Sequence, residues 1–184
     1  SLKERIEEEL KKVKDTSDRL NEEVRRSVED TRKRSEDLNE EVRRSVEESR
    51  RRVESLLKRI EDEDKARELR KKVEKVARDT RRLIKEDKDR SDKMVRDTER
   101  LIEEDARESE KAVREVEELV RRVDKEEEVK KIIERIEEIL ERSERRNREI
   151  IKRDEEALKR SEERNREIIE RDKEMLERLE REVR

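Results

Sequence analysis

Several residue types are missing from this 184-residue chain, which contains no Cys, His, Gly, Pro, Phe, Trp or Tyr. Without cysteine no disulfide can form, so the redox compartment is unconstrained. Without His and Cys, the familiar forms of nucleophilic catalysis and most zinc or iron sites are excluded. We therefore expect no enzyme activity, no cofactor and no metal.

No excess of one charge is present either, because 57 basic residues face 60 acidic residues and the net charge is -3. The two signs alternate finely along the chain, and no aromatic side chain is available to stack on a base. We expect neither nucleic acid nor membrane as a partner. No apolar run approaches the roughly 18 residues of a membrane span, and the start does not resemble a signal peptide. A soluble protein, cytoplasmic on recombinant expression, is the expectation.

Apolar residues recur at spacings of three and four along the whole chain, which is the helical period. With 64% charged and 26% hydrophobic residues the composition resembles that of disordered chains, but disordered chains lack this periodicity. The period is interrupted twice, at IEDEDK and at VDKEEEV. The sequence thus predicts an all-α, up-down-up three-helix bundle over 1–184, with helices at about 2–61, 65–123 and 126–183.

Each predicted helix begins with residues that can cap it. Ser1 and Glu4 form a capping box, and Asp124 with Glu127 forms a variant of the same motif. Asp62 or Asp64 can cap the second helix.

Each predicted helix also contains an eighteen-residue unit that occurs twice in succession. The units are 17–34 and 35–52, then 79–96 and 97–114, then 142–159 and 160–177. Eighteen residues make five turns at 3.6 residues per turn, so equivalent residues share one helix face. Because this period matches a relaxed helix, we expect a nearly straight bundle.

Unusual polar residues stand at apolar positions in these units, and their numbers align across the three helices. In an up-down-up bundle, antiparallel partners have numbers with a constant sum, and parallel partners have a constant difference. Ser17 pairs with Ser109 and Asn21 with Asp105 at a sum of 126, while Ser17 and Ser143 differ by 126. The predicted structural polar network comprises Ser17, Asn21, Ser35, Asn39, Thr80, Asp87, Ser91, Thr98, Asp105, Ser109, Ser143, Asn147, Asp154, Ser161, Asn165 and Asp172.

This alignment predicts, in each repeat, a serine layer and an Asn-Asp-Asn layer one turn away. Asp would accept hydrogen bonds there, while Asn and Ser donate. Because an unpartnered buried polar group costs a few kcal/mol, such layers would fix helix register, as a buried Asn does in coiled coils. The alternative is that these residues lie at the edge of the core and are hydrated.

A metal site is the competing interpretation of the carboxylates Asp87, Asp105, Asp154 and Asp172. Each predicted Asn layer offers only one carboxylate, whereas calcium usually gathers several oxygen ligands. The spacing therefore favours structural aspartates.

The doubled units, the restricted alphabet and the aligned polar layers resemble de novo designed helical bundles, built on parametric backbones with modular buried hydrogen-bond networks. The resemblance is one of design style and covers the whole chain. It implies a structural scaffold with no natural biochemical function, or a parent whose helices pair as split hetero-oligomers with partner chains.

The amount of apolar surface bears on the oligomeric state. Helix one has mostly one apolar residue per turn in its repeats, whereas the other two have doublets such as Leu83-Ile84. That is about enough for three helices, so we expect a monomer that requires no partner. A single continuous charged helix acting as a spacer is a third alternative.

Overall fold

Three long α-helices make up the computed structural model, which describes residues 1–183. Helix α1 spans Leu2–Leu57, α2 spans Glu63–Arg121 and α3 spans Glu126–Val183, and no strand occurs within the described residues. The predicted all-α class with three helices is therefore confirmed. None of the three helices is long and apolar enough to cross a membrane.

Capping side chains explain where the helices begin. The Ser1 hydroxyl accepts a hydrogen bond from the Glu4 amide at 3.3 Å, as predicted for the capping box. At the second start, Asp62 is the residue that caps: its Oδ1 accepts from the amides of Asp64 at 3.0 Å and Lys65 at 3.3 Å. Because Asp62 caps from just outside the helix, α2 begins at Glu63, two residues before the predicted start.

The first two helices end without glycine, and the residues that follow continue as tighter turns. The amides of Arg59 and Ile60 bond to the carbonyls three residues earlier, both at 3.1 Å, and Arg122 does the same after α2. Such bonds satisfy carbonyls at a helix end without a left-handed residue. Every described residue keeps a negative φ. Helix α1 consequently ends four residues before the predicted position 61.

The chain forms two compact units, and each contains one stretch of every helix. Unit 1 consists of 1–30 and 94–155, and unit 2 consists of 31–93 and 156–184. Each unit is described separately below.

In unit 1, α2 runs antiparallel to α1, and α3 runs parallel to α1. Rising numbers on α1 meet falling numbers on α2, as in the ion pairs Lys14–Glu117 and Arg25–Glu99, both at 3.3 Å. Ser17 meets Ser143 of α3 at the predicted difference of 126. One apolar cluster includes Ile6, Val116 and Ile136, and a smaller one joins Val24, Ile102 and Ile150.

Unit 2 repeats this arrangement with its own residues. Arg34 pairs with Glu162 and Arg52 with Glu180, so α1 and α3 run parallel, whereas Arg50 of α1 pairs with Glu74 of the antiparallel α2. Its larger apolar cluster is built around Val53, Leu57, Leu69, Val73, Leu176 and Leu179. A smaller cluster of Val42, Ile84 and Ile168 corresponds, residue for residue, to the small cluster of unit 1.

The cap at the start of α2 generates a first prediction. Asp62→Ala removes the acceptor of two first-turn amides and should lower the free energy of unfolding by about 1 kcal/mol. Asp64→Ala is the matched control, because the Asp64 side chain is 94% exposed and its basic neighbour Arg67 lies 3.9 Å away. Urea unfolding followed by circular dichroism measures both variants. Equal destabilisation by the two substitutions would contradict the assignment of the cap to Asp62.

Candidate functional site: two buried polar clusters

Fifteen of the sixteen predicted network residues are buried, and the sixteenth, Ser91, is half-buried. Their burial follows from the helical spacing. Each residue stands at a position of the apolar helix face, and this face packs against the other two helices. Thr31 is buried as well and was not among the predicted network residues. The hydrated-edge alternative does not describe these fifteen side chains.

In unit 1 a short chain of hydrogen bonds ends at Asp105 of α2. Ser143 of α3 donates its hydroxyl proton to Asp105 Oδ2 at 3.0 Å. The same Ser143 oxygen lies 3.4 Å from the hydroxyl of Ser17 on α1. Since a hydroxyl has one proton to donate, Ser17 donates to Ser143, and Ser143 donates to the carboxylate. All three helices thus contribute to one chain of hydrogen bonds, with hydroxyl donors from α1 and α3 and the carboxylate acceptor from α2.

Unit 2 contains a longer version of this chain, which ends at Asp87. Ser161 donates to Asp87 Oδ2 at 2.8 Å, and Ser35 lies 3.1 Å from Ser161 and 2.9 Å from Ser91. Ser35 also lies 3.3 Å from Asp87 Oδ2. A consistent assignment gives each hydroxyl one acceptor, with Ser91 donating to Ser35, Ser35 to Ser161, and Ser161 to Asp87. The equivalent of Ser91 in unit 1 is Ser109, whose buried hydroxyl has no hydrogen-bond partner in the described structure.

An arginine from α3 supplies positive charge to each of these aspartates. Arg146 Nε donates to Asp105 Oδ1 at 2.6 Å, and its Nη1 lies 3.0 Å from Glu108. Arg164 donates to Asp87 Oδ1 through Nη2 at 2.7 Å and through Nε at 3.2 Å. Each arginine side chain is about one third exposed. The aliphatic stem can therefore cover the core while the guanidinium reaches the carboxylate from the rim.

These arginines were missed by the sequence analysis, although the repeat contains a signal for them. Both units of α3 have Arg directly before the buried Asn, at Arg146 and Arg164, whereas both units of α1 have Leu there, at Leu20 and Leu38. A basic residue retained in both copies beside a predicted buried carboxylate layer indicates a charge partner.

The asparagines do not form the predicted Asn-Asp-Asn hydrogen bonds. Asn147 and Asn165 of α3 each donate to the carbonyl of the serine four residues earlier, at 2.9 Å in both units. The Oδ1 atoms of Asn21, Asn39, Asn147 and Asn165 are buried without a partner among the described residues. Ser and Arg from α3 occupy the oxygens of Asp87 and Asp105, and the amides of Asn147 and Asn165 bond within α3 instead.

A second type of buried aspartate lies further along α3. Thr98 donates to Asp154 Oδ1 at 3.0 Å in unit 1, and Thr80 donates to Asp172 Oδ1 at 3.5 Å in unit 2. In both pairs the position numbers sum to 252, and a constant sum is the pattern of antiparallel helices. In both aspartates Oδ2 is buried without a hydrogen-bond partner in the described structure.

Burial raises the pKa of Asp154 and of Asp172 to about 6, although a threonine hydroxyl and a neighbouring arginine, Arg153 or Arg171, oppose the shift. Among residues 1–183 no arginine forms an ion pair with either carboxylate, in contrast to Asp87 and Asp105. The pKa of each group is raised because the desolvation of the carboxylate outweighs its stabilisation by the single hydroxyl donor.

The cavities that border the clusters differ between the units. In unit 1 a cavity of about 160 Å³ is lined by Asp105 and Arg146, among others, and those in unit 2 are smaller. Two cavities border Asp172, of about 30 and 40 Å³, one lined also by Ser49 of α1 and the other by Thr80 of α2. Cavities of this size hold water-sized molecules. Within residues 1–183, no group of three acidic residues is arranged so that it could hold a metal ion.

No protein family matches this chain, and comparisons with curated proteins and with solved structures find no match either.

The arginine pairs generate a second prediction. Arg146→Leu places in α3 the residue that α1 has at this position and leaves the carboxylate of Asp105 buried with only its serine donor. We expect a loss of about 2–4 kcal/mol in the free energy of unfolding, since removing one member of a buried ion pair is strongly destabilising. Arg148→Leu is the control, because that side chain is 75% exposed and lies 3.9 Å from Glu144. Urea unfolding at pH 7 measures both, and a loss below about 0.5 kcal/mol for Arg146→Leu would contradict the ion pair.

The aspartates without arginine partners generate a third prediction. Because their folded pKa of about 6 lies above the ordinary value of 3.8, the folded state retains protons between pH 4 and 6 that the unfolded state has lost. The free energy of unfolding should therefore fall as pH rises through this window, by about 1–3 kcal/mol per group. In Asp154→Asn/Asp172→Asn this decrease should disappear. Carboxyl carbon NMR gives the direct measurement, and titration midpoints near 4 for both groups would refute the prediction.

Proposed function

We propose that this chain is a designed structural scaffold, without a natural biochemical function, whose buried polar clusters specify helix register and helix pairing. The observation that carries the proposal is the series of hydrogen bonds in unit 2, which links hydroxyls from all three helices to Asp87. Sliding any one helix by a turn would break this chain of hydrogen bonds and leave buried polar atoms unpartnered.

The energetics support a role in specificity more than in stability. Apolar residues of similar volume often stabilise a fold as well as a buried ionic cluster does, or better, because burying charge has a large desolvation cost. A fold that needed only stability would be served by leucine at these positions. The repetition of the same cluster in both units instead matches a role in defining which side chains meet.

A restricted alphabet, tandem eighteen-residue units and aligned polar layers favour a designed origin. The chemistry of the clusters is also what a scaffold requires. The Asp105 oxygens beside the cavity of about 160 Å³ are already occupied by Ser143 and Arg146, and the cavities beside Asp172 have room only for water-sized molecules.

The second candidate function is an interaction module whose helices assemble with partner chains into a split or larger bundle. The observation that favours it is that the α3 side of each cluster differs from the α1 side. Arg146 and Arg164 of α3 bind the aspartates of α2, whereas the equivalent positions of α1 are Leu20 and Leu38. Helices α1 and α3 are therefore not interchangeable as partners of α2. A helix that recognises one partner and not another needs such a difference.

The specificity proposal is tested by an apolar variant of the full chain, in which six amide and carboxylate residues become leucine: Asn21, Asn39, Asp87, Asp105, Asn147 and Asn165. We expect the variant to keep its helix content and a similar or higher thermal midpoint, because buried polar groups are replaced by apolar ones. We also expect it to lose a single structure, seen as multiple or broadened amide NMR signals or as larger species.

Light scattering during gel filtration reports the mass. The original chain should behave as a monomer of 22.8 kDa, whereas the variant should form mixed species. A variant with one sharp set of NMR signals and the same mass would show that the apolar pattern alone specifies the fold, which would contradict the proposal.

A further inference from the structure

Exposed charges distinguish the two repeats of α2 from each other. The first repeat, 79–96, has seven basic and five acidic residues, which gives a net charge of +2. The second repeat, 97–114, has four basic and seven acidic residues, a net charge of -3. The change is concentrated at exposed positions, where Lys85 and Arg90 correspond to Glu103 and Glu108.

The repeats of α3 have the opposite order. Repeat 142–159 has seven basic and five acidic residues, net +2, and repeat 160–177 has five basic and seven acidic residues, net -2. The exposed residues Arg145 and Lys152 correspond here to Glu163 and Glu170.

The structure brings repeats of opposite sign together in each unit. In unit 1 the acidic repeat of α2 packs on the basic repeat of α3, as the Arg146–Glu108 pair at 3.0 Å illustrates. In unit 2 the basic repeat of α2 packs on the acidic repeat of α3, where Thr80 meets Asp172. If the same two helices ran parallel with their repeats in full overlap, repeats of like sign would meet in both places.

Within the intact chain the surface charges are not needed to select the antiparallel over the parallel orientation of α2 and α3. Only four residues, 122–125, separate α2 from α3. A parallel arrangement would require this link to span a whole helix, about 85 Å at 1.5 Å per residue, whereas four extended residues reach about 14 Å. The link alone therefore determines the antiparallel orientation.

We propose that the alternating charges of α2 and α3 direct the orientation in which these helices pair when no link joins them. The partner that fits α2 is thus an antiparallel helix with a basic and an acidic repeat in the order found in α3. This inference rests on the second candidate function, helix pairing between chains. The contribution of each exposed charge is small and screened by salt, so the effect comes from the sum over the repeats.

The test uses the full chain with a protease site inserted at 122–125, which is cleaved after folding, unfolded in urea and refolded at low salt. Two introduced cysteines report orientation through a short bismaleimide cross-linker, since the chain has no cysteine of its own. Glu115→Cys with Arg135→Cys reports the antiparallel arrangement, because these side chains form an ion pair at 3.3 Å. Glu115→Cys with Arg178→Cys reports the parallel arrangement with full overlap.

Two charge-exchange variants of unchanged net charge make the comparison. The α2 exchange is Lys85→Glu, Arg90→Glu, Glu103→Lys and Glu108→Arg. The compensating α3 exchange is Arg145→Glu, Lys152→Glu, Glu163→Arg and Glu170→Lys. All eight positions are exposed, so the buried residues of the clusters and apolar cores are the same in every protein compared. The exchange changes one contact of a cluster residue, the outer Arg146–Glu108 pair.

We expect the original sequence to give the 115–135 cross-link, at least tenfold more than the 115–178 cross-link. The α2 exchange should abolish this preference, and the double exchange should restore it. With 1 M salt the differences should shrink.

Two results would overturn the inference. An equal preference for the 115–135 cross-link in all three proteins would mean that the buried clusters alone select orientation, which leaves the specificity function intact. Failure of the α3 fragment to rejoin in every protein would instead contradict helix pairing without the link, and with it the second candidate function.

Discussion

A carboxylate removed from water needs donors and a positive charge, and this requirement connects the three helices of each unit. Asp105 is 1% exposed and Asp87 is 2% exposed. Neither helix α2 nor solvent supplies what they need, so serine and arginine from α3 do. Because a buried charge without partners costs several kcal/mol, a change of register that removed those groups would be unfavourable.

A second pair of buried aspartates has a different environment, because the residues around them supply fewer donors and no paired positive charge. Asp154 and Asp172 receive one threonine hydroxyl each and no arginine ion pair, so desolvation dominates and their pKa rises. Two chemically identical side chains thus have different roles in one fold. One is a paired anion that organises donors, and the other is a carboxyl group that titrates near pH 6.

Covalent links, buried clusters and surface charges act on the helices over different distances. The short links at 58–62 and 122–125 determine that neighbouring helices run antiparallel. We propose that the buried clusters discriminate at the scale of one turn, because a shift of 5.4 Å would separate each hydroxyl from its acceptor. Surface charge differs between whole repeats, so its proposed effect extends over eighteen residues.

Periodicity and repetition in the sequence determined the number of helices, their approximate bounds and the register of their polar residues, because a fixed period of 3.6 residues maps position onto face. Only the tertiary structure decided which atoms bond. The predicted register puts Asp105 level with Asn21 and Asn147 and near Ser143 and Arg146, and spacing along a helix does not rank such competing donors. That choice depends on side-chain reach and charge across helices, which is why Arg146 and Arg164 pair with the aspartates and the asparagines of α3 bond within their own helix.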